Sequence, residues 1–146
     1  GVPIPIQIDI TTDGFPEETS WKIINGVTSA SIATGGPYPD ATEYKHLFIT
    51  TSYEVCPSDC LNFTIFDTYS NGMNDNRRGR PGSYTIFYDN ETIREGGDNF
   101  GKEESTIFGA CAPSSVSSSN PTSLPSSNPT SLPSIYCDDG VPIPIQ

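Results

Sequence analysis

Apolar and polar side chains alternate along Ile4-Pro5-Ile6-Gln7-Ile8-Asp9-Ile10, the period of two expected of a strand with one buried face. Proline cannot donate to a ladder, so Pro3 and Pro5 place this strand at a sheet edge or themselves at its start. Runs of β-branched and aromatic residues predict further strands over Thr19–Ile24, Val27–Ala33, Lys45–Val55, Leu61–Thr68, Ser83–Tyr88, Glu91–Glu95 and Ser105–Gly109. Between them stand turn formers: Asn25-Gly26, Gly35-Gly36-Pro37, Pro57-Ser58-Asp59, Asn71-Gly72, Asp89-Asn90 and Gly96-Gly97. No helix of any length is predicted. Short strands with turns this frequent point to an all-β fold, an antiparallel β-sandwich of jelly-roll or immunoglobulin-like kind.

The pattern stops at Cys111. Residues 112–136 are built from Ser, Thr, Pro and Asn with few apolar side chains, and cannot form a core. Prolines recur every four residues at Pro121, Pro125, Pro129 and Pro133, a spacing that forbids a helix and favours an extended linker. Residues 137–146 then start the pattern again. Gly140-Val141-Pro142-Ile143-Pro144-Ile145-Gln146 repeats Gly1-Val2-Pro3-Ile4-Pro5-Ile6-Gln7, a register of 139 residues. That period is far above the 20–50 residues of solenoid repeats. The expected organisation is a sandwich over residues 1–111, a Ser/Thr/Pro-rich linker over 112–136 and the start of a next repeat at 137.

Composition narrows the partners. The formal net charge is −11, so the basic face that a nucleic acid needs is not expected. No stretch has the roughly 20 apolar residues of a bilayer span. Four cysteines, two Asn-x-Thr sequons and a Ser/Thr/Pro tract point to the secretory route and an extracellular or cell-surface location.

Asp13-Gly14-Phe15-Pro16-Glu17-Glu18-Thr19-Ser20-Trp21, Gly35-Gly36-Pro37-Tyr38, Cys56-x3-Cys60, Phe63-Thr64-Ile65-Phe66-Asp67-Thr68-Tyr69-Ser70-Asn71-Gly72-Met73, Gly96-Gly97-Asp98-Asn99-Phe100-Gly101 and Phe108-Gly109-Ala110-Cys111 together resemble a domain found in large secreted proteins of diatoms and related algae. The resemblance spans about residues 4–111 and implies an extracellular tandem-repeat β-sandwich with Pro/Ser-rich linkers. Its Gly-Asp-Gly stands here as Ser70-Asn71-Gly72, an amide in place of a carboxylate.

Chemistry-bearing constellations are sparse. His46 is the single histidine, with neither metal-type spacing nor a Gly-x-Ser-x-Gly beside it, and no catalytic residue is assigned. Calcium is the one cofactor candidate: Asp67, Asn71, Asn74 and Asp75 offer hard oxygens on one loop, and Asp13, Glu17 and Glu18 would join them if the two loops share an end of the sandwich. The same residues are also ordinary turn formers. Asn62 and Asn90 are N-glycosylation acceptors. The candidate O-glycosylation residues are Ser114, Ser115, Ser117, Ser118, Ser119, Thr122, Ser123, Ser126, Ser127, Thr130, Ser131 and Ser134. Arg77, Arg78 and Arg80 form a basic cluster in an acidic chain, a solvated loop or a docking point between copies. Trp21, in a predicted strand beside Ile23 and Ile24, is read as core.

Of the three pairings open to four cysteines, the short spacing favours a local Cys56–Cys60 staple. Cys111 then pairs with the preceding copy's Cys137, clamping both ends of each sandwich; closure of Cys111 on Cys137 within one repeat is the alternative. Val141, Ile143 and Ile145 are expected to enter the next bead as its first strand. The reading that follows is a structural, non-enzymatic repeat of a glycosylated extracellular fibril or surface appendage, whose partners are identical repeats. The runner-up is a multivalent carbohydrate-binding or adhesive module, favoured if Tyr38, Tyr44, Tyr53 and Tyr69 form an exposed aromatic line.

Overall fold

The computed structural model describes residues 1–74, 80–97, 99–111 and 137. Eight strands form in chain order: β1 (Ile4–Thr11), β2 (Thr19–Asn25), β3 (Ser31–Gly35), β4 (Phe48–Val55), β5 (Cys60–Asp67), β6 (Ser83–Tyr88), β7 (Glu91–Gly97) and β8 (Glu103–Gly109). The only helical pieces among the described residues are single 3-10 turns at Pro16–Glu18 and Thr42–Tyr44. One sheet runs β4-β1-β6-β7 and the other β3-β2-β5-β8, and every pairing is antiparallel. The edges are therefore β4 and β7 on one sheet, β3 and β8 on the other.

The inner faces come from the period of two. Ile6, Ile8 and Ile10 of β1, with Val55, Tyr84 and Ile86, meet Trp21, Ile23, Leu61, Phe63, Ile65 and Phe108 of the opposite sheet in one buried cluster. Ring pairs cross the interface: Phe63 lies 5.4 Å from Tyr84, and Tyr88 lies 5.6 Å edge-on from Phe108. Trp21 is core, as its sequence setting implies. It stacks on Phe63, and its indole N–H donates to the Tyr38 hydroxyl at 3.0 Å. The ring lies so close over Gly35 that a Cβ there would overlap it, which gives this glycine a packing reason rather than a conformational one.

Three expectations need correction. β1 is not an edge strand, for it lies between β4 and β6. The proline objection is met at the strand start: Pro5 precedes the first β1–β6 pair, Ile6 with Tyr88, and its carbonyl accepts the Asp89 N–H at 2.9 Å. N–H and C=O of one strand residue point the same way, so the missing donor falls where β6 has already turned into its hairpin. The predicted strand over Val27–Ala33 keeps only its second half, because the Asn25 side-chain oxygen accepts from both Val27 and Thr28 N–H and holds a turn there. The predicted strand from Lys45 begins at Phe48 instead. Thr12 draws the preceding segment away, its hydroxyl bonding the Tyr44 carbonyl and the Leu47 N–H.

Candidate functional sites at the two ends of the sandwich

The strand register sorts the loops into two poles. At one pole lie the ends of β1 and β7 and the starts of β2, β6 and β8, together with the loop that follows β5 at Asp67. At the other lie the start of β1, the end of β4, the start of β5 and the end of β8.

The first pole is acidic. Asp13, Glu18 and Asp67 are buried, at 2%, 7% and 2% exposure, and the two loops named from the sequence do share this end. Asp13 accepts the Phe15 N–H just ahead of the 3-10 turn that carries Glu17 and Glu18. Asp67 ends β5 and accepts the Asn71 N–H at 2.8 Å. Its carboxyl is raised from its ordinary value by burial, against the pull of the N–H groups of Asn71, Gly72, Ser70 and Tyr69. Glu18 is pushed up to about 7, first by burial and then by the charges of Asp67, Asp13 and Glu17. Crowded carboxylates out of water cannot all stay ionised, and one keeps a proton. Glu18, raised further than Asp67, is the carboxyl that gives up its proton later as the pole ionises.

Of the calcium candidates, Glu17, Asp67 and Asn71 lie at this pole, and each has one buried side-chain oxygen with no hydrogen-bond partner. Among the described residues no three Asp, Glu, His or Cys side chains converge with the spacing of a metal centre. Asp75 lies outside the described residues. So do Arg77 and Arg78, whereas Arg80 is exposed and borders a shallow cleft with Gly14, Phe15, Thr42, Lys45 and His46. The cleft collects cations beside the acidic loops: Lys45 reaches Asp40 at 3.8 Å and lies over the Phe15 ring. His46 holds the loop through its backbone, its N–H donating to the Asp13 carbonyl.

The opposite pole holds both disulfides, Cys56–Cys137 and Cys60–Cys111. This overturns the expected Cys56–Cys60 staple and the pairing of Cys111 with a neighbouring copy's Cys137. The alternative Cys111–Cys137 closure is also absent. The reason is the sandwich itself. Cys56 follows the last residue of β4 in one sheet and Cys60 opens β5 in the other, while Asp59 closes the crossing by accepting the Cys56 N–H and donating to the Cys56 carbonyl. Cys60 sits opposite Gly109 across the β5–β8 ladder, two residues from Cys111. Each bond closes a loop of more than fifty residues, worth about 4 kcal/mol on the chain-entropy account. The ends are thus not both clamped; the clamps share one pole.

Gly1 and Cys111 lie at this pole too. The Gly1 amino group donates to the Cys137 carbonyl at 2.6 Å, and Gly1 lies beside Pro57. Two disulfides are compatible with an oxidising, extracellular setting.

The sequons differ in setting. Asn90 is exposed in a two-residue hairpin whose Asp89 and Asn90 have φ of 54° and 68°, the left-handed pair of a type I′ turn. Asn62 does face outward while Leu61, Phe63 and Ile65 face the core, but it is half-buried between Ile24 and Ile107 on the neighbouring strands, and its Oδ1 is shielded. The O-glycosylation candidates from Ser114 to Ser134, and Val141, Ile143 and Ile145, lie outside the described residues.

One cluster has no sequence signal. Glu104 of β8 accepts the buried Tyr84 hydroxyl and the Arg94 guanidinium, both at 2.6 Å. It joins the β6–β7 side of one sheet to the edge of the other. The Tyr84 phenol is pushed up by burial and by Glu104. Among the aromatics weighed for binding, Tyr69 is exposed, whereas Tyr38 and Tyr53 pack against the core and Tyr44 is half-buried. Among the described residues no helix is long and apolar enough to cross a membrane. No family model, curated protein or solved structure matches the chain.

Proposed function

We propose that this chain is one link of a tandem array, a non-enzymatic structural repeat of a glycosylated extracellular fibril or surface appendage. The observation that carries the reading is the return of the first seven residues at a register of 139, across a Ser/Thr/Pro-rich connector. Two antiparallel four-stranded sheets make the bead a β-sandwich. Disulfides at the pole that holds Gly1 and Cys111 support a load-tolerant unit. The resemblance to secreted algal repeat domains points the same way.

Of the four tyrosines of the runner-up, only Tyr69 is fully exposed, at 72%. A carbohydrate platform needs several such rings together, so the scaffold reading is preferred to the adhesive module. Calcium belongs to the proposal as a ligand of the acidic pole, held by Asp67, Asn71 and Glu17, whose buried oxygens lack donors. The decisive measurement is the size of the native polypeptide on a reducing gel, with negative-stain images of the same material. Lengths that are multiples of about one repeat, with thread-like particles, support the reading. A single-repeat chain forming closed oligomers defeats it.

A further inference from the structure

We infer that in the array Cys56 of each bead bonds the Cys137 of the preceding copy, and that the resulting covalent path carries tension past the sandwich. The inference rests on the tandem reading and adds to it a bond and a direction of force.

The seat occupied by Cys137 is buried, at 6% exposure, and belongs to the entrance of the bead. The Cys137 carbonyl and the Gly1 nitrogen are 2.6 Å apart. That is the contact a tight turn makes between one residue and the third beyond it. The sequence supplies such a turn. Cys137-Asp138-Asp139-Gly140 places a cysteine three residues ahead of the repeated glycine, and aspartate with a closing glycine is turn chemistry. In an array, therefore, the preceding copy's Cys137 is delivered to this seat by three residues of backbone. The bead's own Cys137 reaches it only through the 25 residues that lie between it and Cys111. A tether's effective concentration falls with length once it exceeds the span it bridges, which favours the short turn from the preceding copy. Cys56 can bond only one of them, and each bead's own Cys137 passes to the next bead. Formation of the bond removes one hydrogen from each thiol. The two electrons and two protons pass to glutathione disulfide or to an oxidoreductase disulfide of the secretory route, which leaves as thiols.

The mechanical consequence follows from Cys60–Cys111. Force entering by the preceding copy's Cys137 crosses to Cys56, runs four residues to Cys60, crosses to Cys111 and leaves along the connector. Both the 57 residues between the preceding copy's Cys137 and Cys56 and the 50 residues between Cys60 and Cys111 lie off that path. Every strand of the bead then hangs as a lateral knob, with its acidic pole pointing away from the thread.

The test uses a secreted two-copy chain that begins with the Cys-Asp-Asp of a preceding connector and stops at Tyr136 of the second copy. A site-specific protease sequence is inserted between Ser126 and Ser127 of the first connector. After cleavage, two fragments separating on a non-reducing gel are expected. Fragments that part only after reduction overturn the inference, since own-copy bonding ties the first bead's Cys56 to a cysteine beyond the cut. As a second measurement, Cys56→Ser in the second copy alone should free the thiol of the first connector's Cys137 for labelling; a blocked thiol there also overturns it. Neither result depends on native chain length, so failure of this bond and failure of the tandem reading are separately visible.

Discussion

Glu18 is the residue whose replacement tests the acidic pole most directly. Its folded value of about 7 lies above the 4.5 of an ordinary glutamate, so the native state holds a proton that the unfolded chain releases. The resulting stability is fully present below pH 4.5 and is lost as pH rises through 7. The whole shift corresponds to about 3 kcal/mol. The cost is shared among the neighbouring carboxyls in a protein medium of moderate effective dielectric, which brings the expected effect to about 1–2 kcal/mol. Glu18→Gln keeps the shape but removes the titration. Urea unfolding with disulfides intact and divalent cations chelated, at pH 4.5, 6, 7 and 8, should find the variant and parent alike at the acid end. At pH 8 the variant should be the more stable by about 1–2 kcal/mol. Equal stabilities at pH 8, or a parent that loses stability no faster than the variant between pH 5 and 8, would refute the reasoning. Millimolar calcium at pH 8 should raise the parent's midpoint through the unpartnered oxygens of Glu17, Asp67 and Asn71.

Gly35→Ala drives a methyl into the Trp21 indole and is expected to cost about 1–3 kcal/mol, read from the unfolding midpoint together with a shift in tryptophan emission. Glu104→Ala strands the buried Tyr84 hydroxyl and the Arg94 guanidinium and should cost about 2 kcal/mol, whereas Arg94→Ala should cost less because that side chain is 37% exposed. Peptide mapping of secreted protein should find Asn90 glycosylated more completely than Asn62, whose surroundings are half-buried; the reverse order would show that folding plays no part in acceptor choice. Non-reducing peptide maps should recover Cys60 joined to Cys111 and no peptide in which Cys56 and Cys60 are joined to each other.

The strands were legible wherever alternation had a buried face to report, as along Ile6, Ile8 and Ile10 or Leu61, Phe63 and Ile65. Alternation failed at Val27, which is β-branched yet 80% exposed in a turn set by Asn25. It also failed before Phe48, where His46 takes a φ of 56° that no strand tolerates. The meeting of Asp13 and Glu18 with Asp67 was visible as a possibility of shared ends. The cysteine pairing was not, because a spacing of four residues says nothing about which sheet each neighbour joins. Glu104 illustrates the same limit: an isolated acid on a predicted strand acquires Tyr84 and Arg94 as partners only when two sheets close on each other.

Four strand edges stay unpaired among the described residues, and in the proposed array they have a meaning that they lack in a lone bead. Neighbours tethered by a connector meet at effective concentrations in the millimolar range, where unpaired edges zip together readily. Both register shifts in the ladders fall on pairs made with an edge strand, between β2 and β3 at Ile23/Ile24 and between β6 and β7 at Ile86/Phe87. Such bulges bend and twist the edge away from a flat template. The outermost strands add charge, with Glu91, Arg94 and Glu95 on β7 and Glu103 and Glu104 on β8, while β3 is only five residues long. In the proposed array, what keeps neighbouring beads from pairing is thus written into the rims of the sheets rather than into the core.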